Sequence, residues 1–274
     1  MEERRGLKAK IHLSVVSHGQ GDIIGLLLND LKIAADTDNL VVTLTLNIEE
    51  LLSFDPESFP FPIRVIKNPK PKGFGANHNA AFAQFQGDAA YFCIANPDIR
   101  IHAQIFDALV KCIEQDKKTG VVAPLVRNSL GKMEDSVRPL PTPWAIFAKV
   151  FKEAGQAVIR PAIDCATVDW VAGMFMLFPR EIFARMGGLD SRYFLYYEDV
   201  DLCCRLHLSG FKVVVSSSVA VEHDAQRTSH RKPKYFLWHL LSISRFFLSP
   251  VFFKRWQQIR RGRSLADNAD GTKR

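Results

Sequence analysis

Two acidic stretches of this chain and one histidine carry side-chain types that could do chemistry. Asn96-Pro97-Asp98 follows the apolar run AYFCIA directly. A carboxylate placed just past a buried strand can hold a divalent cation, which in turn neutralises a diphosphate. Asn96 adds a hydrogen-bonding amide, and Pro97 stiffens the turn. The same tripeptide also makes an ordinary Asx turn. Glu198-Asp199-Val200-Asp201, preceded by Phe194-Leu195-Tyr196-Tyr197, is the second stretch. Acids at a helix start favour the helix dipole. With apolar and aromatic flanks they also suit a semi-buried general base.

His223 ends the run VVVSSSVAVE and precedes Asp224. A lone histidine is more often structural than a ligand. Paired with Asp98, however, it supplies one nitrogen and one oxygen. Two diphosphate oxygens and water then complete an octahedral Mg2+ or Mn2+ site. The segment Asn68-x4-Gly73-Phe74-Gly75-Ala76-Asn77-His78-Asn79 places small residues before a helix, so that backbone can approach a ligand closely. It is neither a dinucleotide fingerprint nor a phosphate loop of the GxxxxGK type.

The elements that must position these groups follow from periodicity. Strands are expected at 10–17, 40–47, 62–67, 90–95, 120–126, 168–178 and 211–221. Helices are expected at 22–35, 77–85, 103–116, 179–186 and 198–209, with one near 144–154 after a proline-rich loop. Strands alternating with helices predict an α/β fold, a single mostly parallel, doubly wound sheet flanked by helices. Ligands of such sheets bind beyond the carboxyl ends of the strands. Ser17-His18-Gly19, Asn96-Pro97-Asp98 and His223 all fall at such ends.

The bulk properties agree with a globular catalytic body. The 274 residues are 47% hydrophobic and 24% charged, with net charge +7. The charge is uneven: residues 225–266 carry many Lys and Arg and no acid, and the rest is slightly acidic. A basic tail of this kind seeks membrane headgroups or nucleic acid. Between its charges it is strongly apolar (YFLWHLLSISRFFLSPVFF, 235–253), which disfavours nucleic acid. His239, Arg245 and Pro250 argue against a membrane span and for an amphipathic helix lying in the interface. A packing or dimerising helix is the alternative. Five cysteines without a CxxC pair predict reduced thiols in a cytoplasmic compartment. No apolar segment follows the charges of MEERRGLKAK, so no signal peptide is expected. A nucleotidyltransferase also combines such a sheet with carboxylates and a metal, but Ser17-His18-Gly19-Gln20-Gly21 lacks the basic residue expected after its first strand.

Taken in order, several stretches resemble family 2 glycosyltransferases, and more narrowly bacterial O-antigen rhamnosyltransferases. They are Val15-Val16-Ser17-His18-Gly19, Gly73 to Asn79, Asn96-Pro97-Asp98, Val168-Asp169-Trp170-Val171-Ala172-Gly173, and Tyr196 through Arg205. The similarity covers about residues 11 to 247 and extends to Arg227, Ser229 and Tyr235 through Leu240.

That resemblance implies the GT-A fold over residues 1–225 and a membrane-associating helical tail over 226–274. It implies an inverting transfer of a sugar from a nucleotide-diphosphate donor, with dTDP-L-rhamnose leading and UDP- or GDP-sugars as alternatives. The acceptor would be a lipid-linked (polyprenyl diphosphate) glycan at the inner face of the cytoplasmic membrane. By position, Asp199 matches the catalytic base, and Asp98 and His223 the ligands of Mg2+ or Mn2+, with Asn96 at the first position of the metal motif. Ser17, His18, Gly19, Asn47, Gly73, Phe74, Asn79, Asn96 and Asp98 fall on the donor side. Trp170, Gly173, Glu198 and Arg227 fall on the acceptor side.

Overall fold

The computed structural model describes residues 10–102, 104–144, 163–223 and 233–270. The helix expected near 144–154 and the acceptor-side Arg227 lie outside them, apart from Trp144.

One nine-stranded sheet organises the chain. Its first half is β1 (Ile11–Ser17), β2 (Leu40–Leu46), β3 (Ile63–Lys67) and β4 (Tyr91–Ala95), all parallel, in the order β3-β2-β1-β4. β2 is buried along its whole length, as expected for a strand covered on both faces. Helices α1 (Gly21–Ala34) and α2 (Phe74–Gln84) cross between these strands. α1 buries Ile24, Leu27, Leu28 and Leu31 at helical spacing, while Ile33 on the other side is exposed.

The second half is mixed, which refines the expectation of a mostly parallel sheet. β5 (Ile99–Arg100), α3 (Ile105–Gln115), β6 (Thr119–Arg127), β7 (Val137–Arg138), β8 (Ala166–Val168), β9 (Trp170–Val171) and β10 (Phe175–Pro179) follow. After α4 (Arg180–Arg185) and α5 (Glu198–Leu208) comes the long β11 (Lys212–His223). β10 inserts antiparallel between β4 and β6, and β11 runs parallel to β6. The single strand expected over 168–178 is therefore three short ones. The chain leaves the sheet at Asp169, forms the two-stranded β7–β9 ribbon, and re-enters after Gly173-Met174. That detour brings a backbone carbonyl, Met174 O, to the carboxyl end of β4.

Apolar clusters fill both faces. One joins α1 and α3 to the sheet. The other joins α4, α5 and two C-terminal helices, α6 (Pro233–Phe247) and α7 (Pro250–Asp270), through Phe246 and Phe252. The tail thus forms two helices bent by 58°, not one over 235–253. Neither is long and apolar enough to cross a membrane, though the bent pair passes by length and composition. The cysteine expectation needs correcting. Cys112, at the end of α3, and Cys165, just before β8, form a disulfide with Cα atoms 5.4 Å apart. The 53-residue separation hid this pairing, because tertiary contacts such as the β8–β11 ladder bring the two segments together. Cys93, Cys203 and Cys204 are free and buried.

Candidate active site

The site lies where β1, β4 and β11 end and β10 begins, and three backbone devices assemble it. The first joins Asp98 to His223. β5 pairs antiparallel with the end of β11, His223 opposite Ile99 and Glu222 opposite Arg100. Asp98 Oδ1 then lies 3.3 Å from His223 Nε2, with the side chains 16% and 11% exposed. Both groups are largely buried, yet open enough to meet a ligand. Two donors of one cation with bonds of about 2.0–2.1 Å sit at a comparable separation, so the pair suits a divalent ion.

The second device links this corner to the acids. Asn96 N–H donates to Met174 O at 2.8 Å, and Gly173 N–H donates to Asp199 Oδ2 at 2.9 Å. One loop of two residues therefore ties Asn96-Pro97-Asp98 on one side to Asp199 on the other. The third device is the approach to α5. Tyr196 and Tyr197 both have positive φ, 71° and 70°. Two successive non-glycine residues in the left-handed region store strain at the entry to the acidic turn.

The acids of that turn divide the work. Asp201 pairs with Arg205 at 2.7 Å, and Arg205 also donates to Met186 O and Gly188 O, so this pair anchors the loop before α5. Asp199 accepts from Gly173 N–H and from Val200 N–H at 2.8 Å. Burial pushes its carboxyl above the ordinary value, and those two amides and the Arg138 guanidinium hold the rise in check. Glu198 is buried, its Oε2 has no hydrogen-bond partner among the described residues, and burial followed by the Asp199 charge pushes it well above the ordinary range. The pair is thus asymmetric: Asp199 is the easier of the two to ionise and has donors to steady its charge.

On the donor side, Gly73 is required by packing. A Cβ there would lie 2.6 Å from Phe194 O and 2.8 Å from its Cα, and Phe74 N–H donates to that same carbonyl at 2.8 Å. The glycine turn and the segment before Asp199 therefore rest on each other. Asn47 is spent within the protein. Its Oδ1 accepts from Asn68 Nδ2 and Lys72 N, and its Nδ2 donates to Lys72 O and lies 3.4 Å from His18 Nδ1. Asn79 grips Leu189 through both N–H and C=O, at 2.9 and 2.6 Å, which fixes the loop leading to α5. Ser17 Oγ accepts from Gln20 N–H, and the Glu50 carboxylate takes the amides of Gly19 and Gly21. Of this corner, the exposed His18 ring remains for a ligand. Trp170 is buried, donates to Pro139 O and lies under Arg138, 5.3 Å from ring centroid to guanidinium. His78 is a core residue, bonded to Ser14 and held neutral by burial with its pKa lowered to about 3.

Arg138 and Glu50 were not singled out from the sequence. Each sits in a loop or a two-residue strand whose pairing no local pattern announces. The tail is part of the site's frame as well. Ser242 Oγ donates to Leu195 O at 2.8 Å, Trp238 stacks on Phe194 at 4.4 Å, and Phe246 packs on Tyr197.

Comparison with known proteins now decides the family. Residues 40–238 match the family described as "Glycosyltransferase like family 2". The chain belongs to this family. It is a glycosyltransferase, and its fold is GT-A. It is 30% identical to the rhamnosyltransferase WbbL of Escherichia coli (strain K12), over 86% of this chain and 92% of the relative. It is 28% identical to an N-acetylglucosaminyl-diphospho-decaprenol L-rhamnosyltransferase of Mycobacterium tuberculosis, over 62% of each. Solved structures share the fold at low identity. GalNAc-T7 in complex with UDP, GalNAc and Mn2+ superposes with a TM-score of 0.61 at 13% identity, the alignment covering 78% of this chain and 43% of that one. The mannosyltransferase PcManGT from Pyrobaculum calidifontis, bound to GDP-Man and Mn2+, gives 0.56 at 14%, over 87% and 65%.

Proposed function

We propose that this glycosyltransferase moves L-rhamnose from dTDP-rhamnose to the sugar of a polyprenyl-diphosphate-linked glycan in bacterial surface-polysaccharide (O-antigen) synthesis, inverting the anomeric centre. The observation that carries the reading is the Asn96–Met174/Gly173–Asp199 relay, which sets a proton acceptor beside an O,N ligand pair. Asp98 and His223 would hold Mg2+ or Mn2+, which supplies charge neutralisation for the departing diphosphate. Asp199 accepts the proton of the acceptor hydroxyl. The acceptor oxygen forms its bond to the anomeric carbon as the bond to the diphosphate oxygen breaks, and the nucleoside diphosphate leaves. The Gly173 and Val200 amides keep Asp199 aimed and favour its ionised form. Rhamnose and the lipid-linked acceptor are supported by the names of the two relatives above.

The reading extends to the inner face of the cytoplasmic membrane, and the tail supports it. Phe236, Leu237, Leu240, Leu241 and Leu248 are all at least half exposed, beside the exposed Lys234 and Arg245. An apolar stripe rimmed by cations suits an anionic bilayer, with about 1 kcal/mol per basic residue near the surface. Self-association through the same stripe is the other outcome that a vesicle sedimentation assay would reveal.

A panel of nucleotide-sugars, offered with Mn2+ and a prenyl-diphosphate-linked N-acetylglucosamine acceptor, tests the substrate reading. Transfer from dTDP-rhamnose well above the other donors is expected. Preference for a UDP- or GDP-sugar would overturn the rhamnose reading while leaving the enzyme class intact.

A further inference from the structure

β5 is two residues long, yet the geometry of the cation corner depends on it. Asp98 directly precedes it, and Ile99 is the only strand partner of His223 among the described residues, since β6 pairs with β11 no further than Glu222. A ladder this short cannot fix itself. The missing constraint comes from α1. Asp30 Oδ2 accepts from Arg100 Nε at 2.7 Å and from Ile101 N–H at 3.0 Å, and its Oδ1 accepts from Arg100 Nη2 at 2.8 Å. These are charge-assisted bonds, two of them bidentate, from a carboxylate only 12% exposed. Burial pushes the Asp30 carboxyl up, but its bonds to Arg100 and to the Ile101 amide outweigh that, leaving it lower than an ordinary carboxyl.

We infer that Asp30 and Arg100 are positioning residues for the cation corner. They clamp the segment after Asp98 onto α1, hold β5 against the end of β11, and so keep Asp98 and His223 at ligand separation. Neither side chain is itself a ligand. The inference rests on the reading that Asp98 and His223 take a divalent cation. It adds that cation affinity is set from a helix remote in sequence from both ligands. Outer partners of metal ligands typically contribute about 10–100-fold to affinity.

The test is Mn2+ binding to the full chain, read by the electron paramagnetic resonance of free Mn2+, alongside the unfolding midpoint. Asp98→Ala is the control for the underlying reading. If wild type binds Mn2+ no better than Asp98→Ala, the corner is not a cation site, and both readings fall. With that control passed, Asp30→Asn should weaken the Mn2+ Kd about 10-fold or more. Arg100→Lys, which keeps the charge but loses the fork, should weaken it less, and it carries the test if Asp30→Asn does not fold. The exchange Asp30→Arg with Arg100→Asp should recover part of the loss. A lowered unfolding midpoint with unchanged Mn2+ affinity in these variants would overturn the inference and leave the pair as a simple stabiliser.

Discussion

Asp199 and Glu198 are adjacent in sequence, and the fold asks different things of them. Glu198 is buried with an unpartnered oxygen, so its charged form is penalised in the folded state alone. Its folded pKa lies above its unfolded one. The resulting loss of stability is absent below the unfolded pKa and grows as pH rises toward the folded value. Glu198→Gln should therefore raise the unfolding temperature near pH 7.5, with the gain shrinking by the time pH reaches about 5.5. Equal gains at both pH values would contradict the assignment. Arg138 acts in the opposite direction, favouring the ionised form of Asp199. Arg138→Gln should move the acid limb of the kcat profile to higher pH, because removing a nearby cation raises a carboxyl pKa. Both acids were legible in the sequence from their aromatic flanks. Arg138 was not, because its relation to Asp199 depends on the β7–β9 ribbon, which pairs residues 137–138 with 170–171.

At the scale of elements, the contacts of the glycine turn are sharper than its sequence. Gly73 and Gly173 both belong to stretches that resemble the family, but only Gly73 lacks room for a Cβ. At Gly173 an added Cβ would meet Asp199 and Phe74 at an ordinary 3.5 Å. Gly73→Ala should then displace the Phe194 segment, lowering both stability and transfer, whereas Gly173→Ala should leave stability within about 1 kcal/mol, its N–H still bonded to Asp199. Thermal melts of the two variants decide this. Strands, helices and their order were readable over most of the chain, because buried parallel strands and amphipathic helices announce themselves by periodicity. The antiparallel insertion of β10 and the two-residue β5 were not. Strand direction and short pairings are set by tertiary contacts such as those of Asp30 with Arg100 and Ile101.

For the molecule as a whole, the tail changes meaning between sequence and structure. Its composition reads as an appendage for a membrane surface. In the folded chain its inner face completes the core through Phe246 and Phe252 and braces the strained turn before Asp199 through Ser242 and Trp238. Phe246→Ala should cost about 3–5 kcal/mol of stability, as for any buried core aromatic. A double substitution of Phe236 and Leu240 by Ser should leave the melt unchanged and abolish binding to anionic vesicles. The family match, ending at residue 238, likewise runs into the tail instead of stopping before it.

In the proposed mechanism Asp199 takes the acceptor proton, and one paired measurement tests that role. Donor binding and transfer rate are measured on the same preparation of Asp199→Asn and compared with wild type. Donor affinity within about twofold, with transfer lowered about 10²–10⁴-fold, is the predicted result for loss of a general base. Transfer at a near wild-type rate by that variant would contradict it.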